Sequence, residues 1–234
     1  MKRFRFPSLL IILCLVMSAP AASAMEITIT NLTNGIYFGP LLVTAHATSV
    51  SLFKTGQTAS SALETLAETG DISDLSVSVG GADADTIEDP ANGYLAPGAA
   101  VTFTLTPLGN NDALSCVARL SPTNDGFVGL DSLGIPTESG SYYLYFNAYD
   151  AGTEANNELI ASNGDTVDVL GIADDPGNRA GDNGTGVTSV EPNTKIHIHR
   201  GVLGDTDPDG GVSDLDSSVH RWLNPVARMD ISIP

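Results

Sequence analysis

The chain has 234 residues and a formal charge of −18 at pH 7, with 28 Asp and Glu against 10 Lys and Arg. So large an acidic excess excludes the nucleic-acid backbone as a partner, keeps the protein soluble, and draws cations to any loop where carboxylates gather. Two cysteines, Cys14 and Cys116, are too few for a disulfide framework.

The first residues read as an export signal. Lys2, Arg3 and Arg5 make a basic start, residues 9–17 an apolar core, and Ala22-Ser23-Ala24 a small-residue cleavage site. The apolar run is too short to span a membrane. Cys14 lies in the middle of that run, which argues for soluble export and not for a lipidated mature start. Residues 1–24 are therefore read as a signal peptide and residues 25–234 as one mature domain. The mature protein is expected to be secreted, either periplasmic or extracellular. Loss of Lys2, Arg3 and Arg5 moves the formal charge from −18 to −21. Cys116 then stands alone, in an apolar stretch that predicts a buried thiol.

Polar and apolar residues alternate over residues 26–32, and residues 41–44 continue in the same style, which predicts the first strands. Ala62, Leu63, Leu66 and Ala67 recur at helical spacing, with Thr58 or Ser60 as cap and Gly70 as stop, so a short amphipathic helix is expected over residues 59–68. Strand patterns return over residues 75–79, 101–106, 115–120, 142–146, 194–199 and 227–233, separated by Gly, Pro, Asn and Asp clusters. Residues 170–192 lack apolar periodicity and read as a long acidic surface loop. The fold class expected is all-β: an antiparallel β-sandwich of about eight strands with one short helix and long acidic loops.

Two acidic segments stand out against this background. Ser121-Pro-Thr-Asn-Asp-Gly-Phe-Val-Gly129 and Tyr149-Asp-Ala-Gly-Thr-Glu154 place Asp125, Asp150 and Glu154 on turn-forming backbone beside strand-like sequence. Hard anionic oxygens of this kind suit a calcium ion, which takes six to eight of them. The same residues also suit plain turn chemistry, with each Asp bonding its own backbone.

A second loop, Asp205-Thr-Asp-Pro-Asp-Gly-Gly-Val-Ser-Asp-Leu-Asp216, puts Asp205, Asp207, Asp209, Gly210 and Asp216 at positions 1, 3, 5, 6 and 12 of an EF-hand-like calcium loop. Its flanks supply no entering helix, and Pro225 stops an exiting one, so a solvated acidic turn is the other reading. His197 and His199 alternate in a predicted strand. They read as two half-exposed histidines on a sheet face, with zinc as the alternative if a third ligand approached. His46 and His220 read as structural, and Trp222 as core. The sequons at Asn31 and Asn183 read as idle.

The ordered motifs resemble the spondin domain. Ser121, Pro122, Asp125, Val128 and Gly129 match its Ser-Pro-x-x-Asp-x-x-Val-Gly segment. Asp150, Ala151, Gly152 and Thr153 match its Asp-Ala-Gly-Thr-Asp segment, with Glu154 in the last place. The stretch from Thr44 to Gly70 and the close from His220 to Arg228 are also similar to bacterial members. The resemblance implies an eight-stranded antiparallel sandwich with calcium held by Asp125, Asp150 and Glu154. It implies a non-enzymatic adhesion or binding module for an extracellular matrix, cell-surface protein or glycan partner. The alternative function is a calcium-stabilised extracellular hydrolase acting on polymers, since paired carboxylates also serve glycoside cleavage.

Overall fold

The computed structural model describes residues 23–80, 84–161 and 170–234, so all but the last two positions of the segment read as an export signal lie outside the described residues. Period-two alternation forms β1 (Met25–Asn31), with Met25, Ile27 and Ile29 buried and Glu26 exposed between them. It is followed by β2 (Tyr37–Phe38), β3 (Leu42–His46), α1 (Ser61–Thr69), α2 (Ser73–Ser78), β4 (Asp85–Glu88), β5 (Ala100–Leu105), β6 (Ala113–Ser121), β7 (Gly126–Gly134), β8 (Gly140–Asp150), β9 (His197–Ile198) and β10 (Ala227–Ile233).

Eight strands form a continuous antiparallel path, β4-β3-β6-β7-β8-β10-β1-β5, with β2 added to β6 and β9 to β8. The two ends of the path, β4 and β5, lie against each other, so the sheet curls almost into a barrel. β8 links its two halves. Residues 140–146 pair with β10, whereas residues 147–150 turn to β7 on one side and carry β9 on the other.

The all-β antiparallel architecture expected from the sequence is the one observed, with differences in detail. Residues 75–79 form no strand: α2 covers most of them, which makes two helices instead of one. The sequence Leu75-Ser-Val-Ser-Val79 satisfies both periods. The helix wins because Leu75 and Val79, four apart, bury on one side while Val77 is 73% exposed. The strand expected over residues 194–199 shrinks to β9, because Ile196 instead exchanges backbone hydrogen bonds with residues 56 and 57. The first acidic motif is a tight hairpin turn leading directly into β7, and β2 and β4 had no clear pattern to announce them. α1 is capped by Ser60, whose Oγ accepts from Leu63 N at 3.2 Å, and stops at Gly70 in the left-handed region.

Inside the curled sheet, Ile27, Ile29, Phe38, Cys116, Leu120, Val128, Phe146, Met229 and Ile231 form the main core, joined by Trp222 and by Ile172 from the long acidic loop. On the outer side of β6 and β7, Leu63, Leu66 and Ala67 of α1 pack with Leu75, Val117, Phe53 and Phe127 in a second cluster. β6 is thus covered on both faces, which explains its unbroken apolar run. Phe127 meets Phe53 edge-on at 5.0 Å and stacks on Tyr149 at 5.5 Å. Its removal should cost about 3–5 kcal/mol. Chemical denaturation of Phe127→Ala measures this, and a loss under about 1 kcal/mol would contradict the role given to the second cluster.

Candidate functional site

The β6–β7 hairpin builds the site. Thr123 Oγ1 donates to the carbonyl of Leu120 at 2.6 Å and accepts from Gly126 N at 3.0 Å, closing the turn. A Cβ at Gly126 would stand 2.5 Å from that hydroxyl, so only glycine fits. The register then sets Gly126 opposite Asp150, and Ala151 N donates to the carbonyl of Asp125 at 3.2 Å. Two carboxylates distant in sequence are thereby brought to one end of the sheet. The Asp150 turn needs glycine as well: Gly152 has φ +71°, and a Cβ there would meet Lys195 N at 2.6 Å.

Asp125 is 0% exposed. Its Oδ2 accepts from Thr153 N at 2.8 Å, Glu154 N at 3.1 Å and Thr153 Oγ1 at 3.3 Å. Its Oδ1 is buried and has no hydrogen-bond partner. Asp150 Oδ1 accepts from Gly152 N at 2.9 Å and lies 3.7 Å from His197 Nδ1, while Oδ2 accepts from Asn156 at 2.8 Å. Glu154 contributes its backbone N–H to Asp125, but its Oε1 accepts from Asn124 at 3.3 Å and from Gly171 N. Asp125 and Asp150 therefore face the shared end, whereas the Glu154 carboxylate is engaged by neighbouring loops. Among the described residues, no three His, Cys, Asp or Glu side chains already converge as a finished metal cage.

Electrostatics separates this cluster from an ordinary turn. Burial, then repulsion from Asp150, pushes the Asp125 carboxyl up to about 8 against the two backbone N–H groups that lower it. Burial also raises Asp150 above its ordinary value, and pushes Glu154 up to about 7. These groups lack enough positive charge to remain ionised together.

The Asp205 loop is the electrostatic opposite. Asp205 and Asp216 face each other across a β-bridge, and with Asp207 they line a cleft beside Asp214 and Arg179. Asp205 accepts from the backbone N–H groups of Asp207, Val212 and Ser213 at 2.9, 2.8 and 3.0 Å. Asp207 accepts from Asp209 N at 3.2 Å, Asp209 from Asn183 at 2.8 Å, and Asp216 from Ser218 N at 2.7 Å. The backbone donors hold Asp205 below its ordinary range, and Ser218 does the same for Asp216. Negative charge is already solvated here by the loop itself.

Several polar residues that sequence reasoning passed over hold the site in place. Arg119 is fully buried, pairing with Asp174 at 3.0 Å and donating to the carbonyl of Thr123 at 3.3 Å. One cation inside the apolar run of β6 was the available signal. Asn124 bridges Glu154, Asn157 and the backbone of Glu158. Glu158 in turn accepts from Leu203 N at 2.6 Å, Gly204 N at 2.8 Å and Ser213 Oγ at 2.7 Å, tying the hairpin to the C-terminal loops.

The paired, half-exposed histidines expected on one sheet face are corrected: His197 stands beside Asp150, but His199 is buried against Trp222, and burial pushes it down to about 3. His46 and His220 are buried, as is Cys116. Glu158→Ala leaves three donors without their acceptor and should cost about 2–5 kcal/mol by chemical denaturation; a change near zero would show that those loops hold by other means.

The family model described as Spondin_N, the spondin N-terminal domain, matches residues 30–168, more than half of the chain. The match contains the hairpin of Asp125 and the turn of Asp150 and Glu154, and ends before the Asp205 loop. No curated protein sequence matches the chain. On the span of that match, the chain belongs to the spondin N-terminal domain family.

Proposed function

We propose that this protein is an exported, non-enzymatic binding module in which calcium, held by Asp125, Asp150 and Glu154, the last turning its carboxylate from Asn124 and Gly171 towards the ion, fixes the loops at one end of the sheet and presents them to an extracellular partner. The observation that carries this reading is Asp125 Oδ1: a carboxylate oxygen with no exposure, no donor and a second acid beside it. A hard divalent cation satisfies all three conditions at once. By neutralising the cluster it would hold loops that otherwise repel, lowering the ordering cost of partner binding. Family membership supports an extracellular binding role, with matrix, cell surface or glycan as partner class and adhesion as the broad outcome.

Among the described residues no helix is long and apolar enough to cross a membrane. The hydrolase alternative has less support, because a polymer cannot reach a fully buried Asp125. The Asp205 loop already solvates its own charge, so this reading assigns one ion and not two.

Two outcomes test the reading. Asp125 has its folded value raised from 3.8 to about 8, so the metal-free protein takes up a proton on folding. Its stability is greatest below the unfolded value and falls as pH rises towards the folded one. Melting curves in chelator should decline from about pH 5 to about pH 8, and millimolar calcium should remove the decline. Identical curves with and without calcium would exclude a metal at this site. Asp125→Asn keeps the acceptor for Thr153 and Glu154 while removing the charge. In chelator it should stabilise the protein by about 1–3 kcal/mol and lose the calcium response; an unaltered response would place the ion elsewhere.

A further inference from the structure

The outward positions of β8 alternate as Tyr143, Tyr145, Asn147 and Tyr149, a single row along one face. Tyr143 and Tyr145 are 66% and 51% exposed, and their rings meet edge-on at 6.1 Å. Arg228, opposite Tyr145 on β10, sets its guanidinium 5.2 Å from the centre of the Tyr143 ring and is itself paired with Asp230. These rings are therefore braced before any partner arrives.

Where the row reaches β7, the residue opposite Asn147 is Gly129. There a groove of about 390 Å³ lies between the row and the segment Phe53-Lys54-Thr55. A Cβ at Gly129 would stand 2.7 Å from the Phe53 ring that walls the groove. Asp131, the acid of this lining, is already occupied by Ser51, Leu52 N and Ser132.

We propose that this groove binds a neutral saccharide chain, with one sugar ring stacked on Tyr145 and its hydroxyls meeting Asn147, Thr55 and Lys54. The proposal rests on the binding-module reading and gives it a partner class. A pyranose ring offers C–H groups on its face and hydroxyls at its edge. An exposed tyrosine beside an amide, a hydroxyl and an ammonium group is complementary to both. The groove has the size of a small-ligand site, roughly 300–1,000 Å³.

A protein partner would need a broad patch with an apolar centre, whereas the outward positions next along the sheet are Arg228, Asp230 and Ser232 on β10 and then Thr28 and Thr30 on β1. A polyanionic glycan would meet a chain of charge −18. The groove also adjoins the acidic hairpin, since Phe127 and Tyr149 are the next paired residues after Gly126 and Asp150.

Calorimetric titration of the mature chain in calcium, using cellohexaose, chitohexaose, laminarihexaose and maltohexaose, with polygalacturonate as the polyanion, tests the assignment. At least one neutral hexasaccharide should bind. Tyr145→Ala should weaken that binding about ten-fold with the melting temperature unchanged, and Tyr145→Trp should keep it. Binding of none of the four, binding of polygalacturonate alone, or an affinity indifferent to Tyr145→Ala would overturn the proposal. Calcium uptake is measured before sugar is added, so failure of the metal reading and failure of the saccharide reading appear as separate results.

Discussion

A buried carboxylate with one oxygen unpartnered is the constraint on which this end of the molecule depends. Asp125 has no exposure, two backbone donors on one oxygen and none on the other, and Asp150 beside it. An ionised pair in such surroundings is costly unless protons or a cation neutralise it. Thus the acidity of the chain, which at large keeps it soluble, becomes at this one place a demand for positive charge. The Asp205 loop shows that acidic sequence alone creates no such demand: there three backbone N–H groups turn onto the Asp205 carboxylate and hold it below its ordinary range.

The fold creates this situation through β8. One half of that strand belongs with β10 and the other with β7, so Asp150 arrives beside a hairpin turn it would not otherwise meet. Two glycines make the approach feasible, Gly126 under Thr123 and Gly152 against the backbone of Lys195. Arg119, Asn124 and Glu158 then lock the surrounding loops from behind, using charge and amide groups buried in the protein. The same strand carries its exposed tyrosines along the outer face, so the acidic end and the aromatic row share one element.

Much of this was legible in the sequence, for definite reasons. Alternation in β1 and β10 and the heavy apolar run of β6 announce strands because burial repeats every second residue or on both faces. α1 was legible from spacing and from its Ser60 and Gly70 ends. α2 was not, since residues at i and i+4 also satisfy a period of two. The closeness of Asp125 and Asp150 came from family resemblance, because register across β7 and β8 is a tertiary fact that spacing does not encode. Likewise, nothing local reveals that Glu158 anchors the C-terminal loops or that His199 buries while His197 does not. The groove at Gly129 is equally silent, since a residue 76 positions earlier, Phe53, packs its ring over that glycine to form one wall.

The most direct test of the central claim is calcium calorimetry of the mature chain near neutral pH in two buffers of different ionisation enthalpy. Asp125 and Glu154, at about 8 and about 7, retain protons there that a bound cation must displace. One ion taken up with release of about one to two protons is the predicted result. Absence of calcium binding, or binding with no proton release, would contradict it.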